Sequence, residues 1–533
     1  MKELKEKLLV EIEEFREKGH KFLNKELSVM DFKHASGGMG VYAERSRNTF
    51  MIRFRTPSGI ISFNEMKWFI DKAEENNLQN IHFTTRQALQ FHGLSIDAVC
   101  DIYTRGAGGN FPRNVAISPL SGVQKDEAFD VSPYALLVNR YFMERIMDYK
   151  LPRKLKVSFS NKDEDVAHCS MTDLGFLAIN NNGNKLFKVY IGGGLGQNPK
   201  TGVALDEYCN PNEVLNYVEA MVRLFIEEGD YKNRAKARIR YILERMGEEE
   251  FKNCFKKHLN AVMSEDKLDL NIEEIQCKKE GIKTDLEDIR LVEQKQEGLY
   301  SVYFHPVGGQ ADLKVLRNIV SAIESMNNIE LRLTMTEGIF IRNLNGKEAE
   351  KLLNITAGCG GETRLEQSVS CIGVPVCQIG LGASQSMLKN ILNYFKEKNY
   401  TKDVLPSIHI SGCANSCGFH QGALIGLTGK KKKYNDLLED AFELHVNGRF
   451  SEGNAKLAKV YGVLLAREIP EFMYELALKV EEKNVPFEEY AEKFEAEISE
   501  LVGKFNSLYF IIGNCHVLLH GNFFYIICYN ELN

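Results

Sequence analysis

Cysteine is scarce in this chain, twelve residues in 533, which excludes a disulfide scaffold, since that needs a much denser set. A basic excess is missing too. The 67 Lys and Arg stand against 73 Asp and Glu, a formal net charge of −6, which argues against a general nucleic-acid binder. A local basic pocket is still allowed, because net charge says nothing about placement. No uninterrupted apolar run opens the chain. MKELKEKLLVEIEEFREKGHKF spaces its apolar residues as an amphipathic helix does and is not a secretory signal. With thiols used sparingly, a cytoplasmic protein with no membrane or nucleic-acid partner is expected. Nucleotide fingerprints are absent: IGGGLG at 191–196 is followed by QNPKTG and not by a helix, and no Walker lysine follows its glycines. The apolar stretch 508–530 is interrupted by Asn514, His516, His520 and Asn522. A membrane span needs about 20 mostly apolar residues, so this stretch is read as a tail. The spacing of Cys515, His516, His520 and Cys528 within it is not diagnostic of a metal.

What is present is ordinary globular composition, 44% hydrophobic and 26% charged, and a length fit for three or four units. The chain also resembles itself at an offset of 250 residues. MIRFR at 51–55 alternates like a half-buried strand, and SVYFH at 301–305 takes the shifted place. Each is followed by a Gly-containing turn and a helical stretch, about 63–76 and 312–325. Paired short strands come next, IHFTTRQALQFHGL at 81–94 against LRLTMTEGIFIRNL at 331–344, with Thr84 on Thr334 and Leu94 on Leu344. After each copy runs a larger α/β stretch. The expected organisation is a helical extension at 1–40, a small repeat unit at 41–110 and a larger unit at 111–245. A charged connector at 246–295 leads to the second small unit at 296–355, the second larger unit at 356–505 and the tail at 506–533. Two pseudo-equivalent halves predict a cleft where they meet.

Four cysteines crowd into a 47-residue window as Cys371-x5-Cys377 and Cys413-x3-Cys417. Four thiolates in two pairs hold zinc or an iron–sulfur cluster. The x5 spacing suits structural zinc badly, and the C-x2-C-x2-C run of simple ferredoxins is absent. Gly373, Pro375, Gly412 and Gly418 keep the backbone small, as close approach to a bulky inorganic cluster requires. Asn415 and Ser416 offer donors to sulfur. A 4Fe–4S cluster is therefore the leading reading, with zinc and unliganded thiols as the alternatives.

Four basic residues accompany these cysteines. Arg86 falls at the turn of the 81–92 hairpin, and Arg113 follows the Gly-rich GAGGNFP loop. Lys154 and Lys156 alternate in LPRKLKV and share a face if that segment is extended. Taken singly, each is a solvated surface charge. His82 and His92 alternate on a strand and are read as structural.

SCIGVPVC and HISGCANSCGFHQGALIGLTG resemble the cluster-binding segment of the sirohaem-dependent sulfite and nitrite reductases. The resemblance extends, in order, through GVYAERSRNTFMIRFRTPSG at 40–59, TTRQALQFHG at 84–93, PRNV at 112–115, LPRKLKV at 151–157 and IGGGLG, and covers roughly residues 30–480. It implies an internally duplicated α+β fold with two ferredoxin-like half-domains and two larger α/β domains related by a pseudo-two-fold. It implies that Cys371, Cys377, Cys413 and Cys417 bind a 4Fe–4S cluster, with Cys417 bridging to the sirohaem iron. It also implies that Arg86, Arg113, Lys154 and Lys156 clamp a small anion and that Arg153 holds sirohaem carboxylates. Asn114 and the glycines Gly192, Gly193 and Gly194 are expected beside the macrocycle. Sirohaem carries eight carboxylates, so a basic pocket suits it.

The activity implied is reduction of sulfite to sulfide or of nitrite to ammonia. The resemblance associates Lys-x-Lys after LPR with sulfite and an asparagine at the second lysine with nitrite; Lys154 and Lys156 favour sulfite. With no flavin or nicotinamide fingerprint in the chain, ferredoxin or a similar small carrier is the expected electron donor, with a flavoprotein subunit as the alternative. A reading from another class, an iron–sulfur electron carrier without haem, leaves the basic set without a purpose.

Overall fold

The protein is described here by a computed structural model covering residues 2–102, 104–265, 268, 272 and 277–506, with the backbone strands 508–512, 515–520 and 523–528 of the tail. Two five-stranded antiparallel sheets hold the repeat units, and each takes its last strand from the other copy. The first runs Val41–Ala43, Phe50–Phe54, Leu89–Leu94, Asn80–Phe83 and then Gln310–Asp312. The second runs Leu291–Glu293, Leu299–Phe304, Ile339–Asn345, Glu330–Leu333 and then Ile60–Ile61. The exchange begins at matching left-handed turns, Ser58-Gly59 (φ 54° and 72°) and Gly308-Gly309 (φ 59° and 71°). A Cβ on Gly59 would lie 3.0 Å from the Leu333 carbonyl oxygen, and one on Gly309 would lie 2.7 Å from that of Phe83. Only glycine fits such a crossing.

Helices Phe63–Glu75 and Leu313–Ile323 lie close to the expected spans. Ser62 and Glu65 form a reciprocal capping box at the start of the first, and Asp312 caps the second. Their apolar stripes, Met66, Phe69, Ile70 and Ala73 and then Leu316, Ile319, Val320 and Ile323, enter one continuous core shared by both sheets. Phe15, Phe22 and Phe32, from helices Lys2–Leu23 and Val29–Ser36, belong to the same core, and Phe22 stacks on Phe32 at 4.4 Å. The residues expected as an N-terminal extension are thus packed into the first half-domain.

The larger units repeat one topology. Ala116–Ile117, Val157–Ser160 and Leu174–Asn181 pair in parallel, and Asn184–Ile191 and Val203–Ala204 add antiparallel strands. Val369–Ser370, Ile408–Ser411, Ile425–Tyr434, Leu437–Val446 and Lys459–Leu465 follow the same sequence of pairings. The stretch expected as a connector at 246–295 divides in two. Helix Glu248–Glu265 buries Phe251, Phe255, Leu259 and Val262 in the first large core, while Leu291–Glu293 is a sheet edge. Its charges mark the exposed helix face, and the apolar stripe beneath decides where it packs. No helix of the described residues is long and apolar enough to cross a membrane. The tail backbone forms a three-stranded antiparallel meander.

Candidate active site

The four cysteines and the basic residues reach one cavity of about 400 Å³ at the junction of the two halves. The cysteines come from two loops that follow neighbouring parallel strands. Cys371 and Cys377 lie beyond Val369–Ser370, and Cys413 and Cys417 lie beyond Ile408–Ser411. Cys371 Sγ accepts from the Gly412 N–H at 3.1 Å, which ties the loops together at sulfur. Arg45, from the first half-domain, donates to the Cys377 carbonyl at 3.1 Å and to the Gly380 carbonyl at 2.5 Å, and its N–H donates to the Val376 carbonyl at 2.9 Å. Thr85 Oγ1 donates to the Cys417 carbonyl at 2.7 Å. Burial and then the neighbouring Cys417 push the Cys371 thiol up. Among the described residues no three His, Cys, Asp or Glu side chains converge as a single metal ion requires.

Arg86, Arg113, Arg153, Lys154 and Lys156 all line the same cavity. The turn bearing Arg86 is built by Thr84, whose Oγ1 accepts from the Arg86 and Ala88 N–H groups at 3.3 and 3.2 Å. One Arg86 nitrogen donates to the Val157 carbonyl at 2.8 Å, while Nε is buried without a partner. Arg113 donates to the carbonyls of Ala107 and Gly109, and its Nε is likewise orphaned. Lys154 and Lys156 flank buried Leu155, which bridges to Pro112, so the extended backbone turns both ammoniums the same way. Burial, then Lys156 and Arg238, drive Lys154 well below its ordinary pKa; burial, then Arg86 and Arg238, do the same to Lys156. Burial lowers Arg86 and Arg153 to about 10. The cavity wall holds nine Lys and Arg against two Glu.

The glycines expected beside the macrocycle lie elsewhere. Gly192, Gly193 and Gly194 do not line the cavity. A Cβ on Gly192 would meet Leu243 and Phe251, and one on Gly193 would meet the Thr172 carbonyl, so both glycines permit close packing within this chain's own core. Gly194 makes room for Arg240 and Arg238, whose nitrogens would lie 3.1 and 3.2 Å from a Cβ there. Asn114 does reach the wall, but its amide is spent on backbone: it accepts from the Ser58 N–H and donates to the carbonyls of Arg86 and Gln87. It fixes the Arg86 turn. Sequence reasoning passed over Arg53, Arg55 and Arg234, which also line the cavity. In MIRFR the two arginines alternate with buried Ile52 and Phe54, so they share a face, and that signal was available. Arg55 is spent on structure, donating to the carbonyls of Gly106, Pro112 and Arg113 and to Asn139. His82 and His92, read as structural, line the cavity as well.

Comparison with known proteins decides what such a cavity belongs to. A family model described as the nitrite/sulfite reductase ferredoxin-like half domain matches twice, at 42–106 and 292–358, and the nitrite and sulphite reductase 4Fe-4S domain matches 108–263. Together the matches take in more than half of the chain. The chain belongs to the nitrite and sulfite reductase family. It is an oxidoreductase, and the reading as an electron carrier outside this family is set aside. The 4Fe-4S match falls on the first large unit, whereas the four cysteines sit in its duplicate.

Relatives at the same distance lie on both sides of the family. Sulfite reductase (ferredoxin) 1 of Mycolicibacterium paratuberculosis is 24% identical over 424 residues, 76% of this chain and 74% of its own. The ferredoxin–nitrite reductase of Leptolyngbya laminosa is 24% identical over 470 residues, 82% of this chain and 87% of its own. The NirA protein of Mycobacterium tuberculosis shares the fold, with a TM-score of 0.74, 20% identity and coverage of 89% of this chain and 92% of that one. Sirohaem and a 4Fe–4S cluster are the family's cofactors, and the residues present fit both. Buried cations in excess of acids, with Arg86 Nε and Arg113 Nε lacking partners, are costly unless an anion joins them.

Proposed function

We propose that this enzyme reduces sulfite to sulfide with electrons from ferredoxin. Sulfite takes up six electrons and seven protons to give hydrosulfide and three waters, so the site must hold an anion while supplying protons repeatedly. Cys371, Cys377, Cys413 and Cys417 would hold the 4Fe–4S cluster and Arg153 the sirohaem carboxylates, and the two groups would supply electrons to an anion bound in the cavity. The observation that carries the sulfite reading is the pair Lys154 and Lys156. Both ammoniums line the cavity, and neither has a carboxylate within salt-bridge distance among the described residues. With an anion bound beside it, each Nζ carries a proton that it can give to a bound oxygen. Arg86 and Arg113 stay charged and orient the anion through fixed N–H groups. Two donors of protons suit an anion that sheds three oxygens.

Absorption spectra and steady-state rates with reduced ferredoxin test this. Sirohaem bands and a higher kcat/KM for sulfite than for nitrite are expected; a preference for nitrite overturns the sulfite reading. In Lys156→Asn the ratio of the two kcat/KM values should move toward nitrite by about tenfold, the worth of one lost charged contact of roughly 1.4 kcal/mol. An unmoved ratio removes Lys156 as the discriminating residue.

A further inference from the structure

Arg86 and Lys156 line a second, much smaller space besides the cavity, of about 10 Å³. That is room for a single water molecule. His168 joins the two cations in its wall, which is otherwise mostly apolar. Arg86 Nη2 is taken by the Val157 carbonyl at 2.8 Å, whereas Arg86 Nε is buried with no partner in the protein. His168 Nδ1 is buried in the same condition. Two orphaned polar atoms on one water-sized space are a reason to look for a bridge between them.

The His168 ring is held firmly. It stacks on Phe450 with centroids 3.6 Å apart and meets the Phe419 ring edge-on at 4.8 Å. The residue is 9% exposed, and its N–H donates to the Asp165 carbonyl at 2.8 Å. Burial, then His409, and then Arg86 and Lys156 keep the ring neutral, so one of its nitrogens accepts a hydrogen bond.

The duplication supplies a built-in control. After strands Val157–Ser160 and Ile408–Ser411 the chain makes matching short helical turns, Cys169–Met171 and His420–Gly422. The residues that precede them, His168 and Phe419, are both left-handed, at φ 59° and 61°. They are counterparts, and since their rings touch they lie where the two units meet. The turn accepts a phenyl ring in one copy, so folding alone does not call for an imidazole in the other. Arg86 falls on Thr336 at the offset of 250, and Lys156 falls on Ser407 at the 251 that relates these turns. The imidazole occurs in the copy that carries the two cations.

Resting on the anion-binding role given above to Arg86 and Lys156, we propose that this space is a water site and that His168 is the positioning residue that holds the water. The water accepts from Arg86 Nε and Lys156 Nζ and donates to His168 Nδ1. With Nη2 on the Val157 carbonyl and Nε on the water, the plane of the Arg86 guanidinium is set and Nη1 is left for the anion. Lys156 gives one hydrogen to the water and keeps the others for the cavity. A bridging water serves nearly as well as a direct hydrogen bond. Cations fixed before binding lose little freedom when the anion arrives.

The test joins a high-resolution crystal structure of the enzyme to two variants. His168→Phe installs the residue of the duplicate turn, and His168→Asn keeps a polar atom at the place of Nδ1 on a residue that tolerates left-handed backbone. Wild type should show one water within hydrogen-bond distance of Arg86 Nε and His168 Nδ1, and the Phe variant should lose it. In the Phe variant sulfite KM should rise about tenfold, as for loss of an outer partner that orients a binding group, with kcat and melting temperature close to wild type. The Asn variant should recover most of that loss. A dry space in the wild type overturns the proposal, and so does an unmoved KM or an Asn variant as impaired as the Phe variant. A change confined to melting temperature would mark a merely structural ring and overturns it too. Should His168→Phe fail to fold, His168→Leu, apolar and close in shape to asparagine, is judged against His168→Asn on the same readouts. Wild-type enzyme that reduced neither sulfite nor nitrite would overturn the functional reading, while the density would still judge the water site.

Discussion

At the scale of single residues, charge burial dominates. Lys154 and Lys156 lie among Arg86, Arg113, Arg153 and Arg238, with Asp173 the acid that opposes them at Lys156. In the cofactor-free protein both are driven well below the roughly 10.4 of an unfolded lysine. Between those values the unfolded chain binds more protons than the folded one, so stability rises with pH and is lost as pH falls. Buried His82, lowered to about 3 by burial and by its neighbours His92 and Arg53, adds the same sense on the acid side, through the unfolded histidine range. Thiols held up by burial, such as Cys371, act oppositely above about pH 8.5. The melting temperature of the cofactor-free form should therefore climb from about pH 6 to about 8.5. Loading with the polycarboxylate should flatten that slope by returning the ammoniums to their charged state. A flat profile before loading would contradict the burial of unpaired charge.

At the scale of elements, loops are held by the other half of the molecule. The Cys377 loop is tied by Arg45, from the turn after Val41–Ala43, through two carbonyls. Arg45→Ala should leave the fold intact and release iron faster, read as iron per chain after gel filtration; unchanged iron content would make this contact incidental. The strand exchange gives a second expectation. Gly309→Ala places a Cβ 2.7 Å from the Phe83 carbonyl at φ 71° and should cost about 1–3 kcal/mol in urea unfolding. The cysteine spacing and the paired strands were legible locally, because each depends on residues close in sequence. The exchanged strands were not. Ile60–Ile61 and Gln310–Asp312 are two and three residues long, and their partners lie some 250 residues away in the chain.

At the scale of the whole molecule, the two halves share one core, in which Phe50, Phe83 and Leu89 meet Val302, Leu333 and Ile341. Each half expressed alone exposes that surface and one unfilled sheet edge. Separate chains ending and beginning near residue 276 should be unfolded or aggregated singly and recover cooperative unfolding only when combined, as followed by circular dichroism. A stable first half on its own would show the exchange to be dispensable. The cavity exists only at this junction: the first half brings the cations and the second brings the thiols.

The order of motifs, the offset of 250 and the four cysteines placed this chain in its family, since helical and strand periodicity and ligand spacing are local properties that a sequence carries openly. Which cations meet the thiols is a different matter. Arg53 and His92 looked like ordinary strand residues, and Gly192 to Gly194 looked like a cofactor loop. The strand register turned Arg53, Gln90 and His92 toward the cavity, and Leu243 and Phe251 closed over Gly192. A side chain's face is set by pairing with a distant strand, and tertiary structure alone decides that pairing.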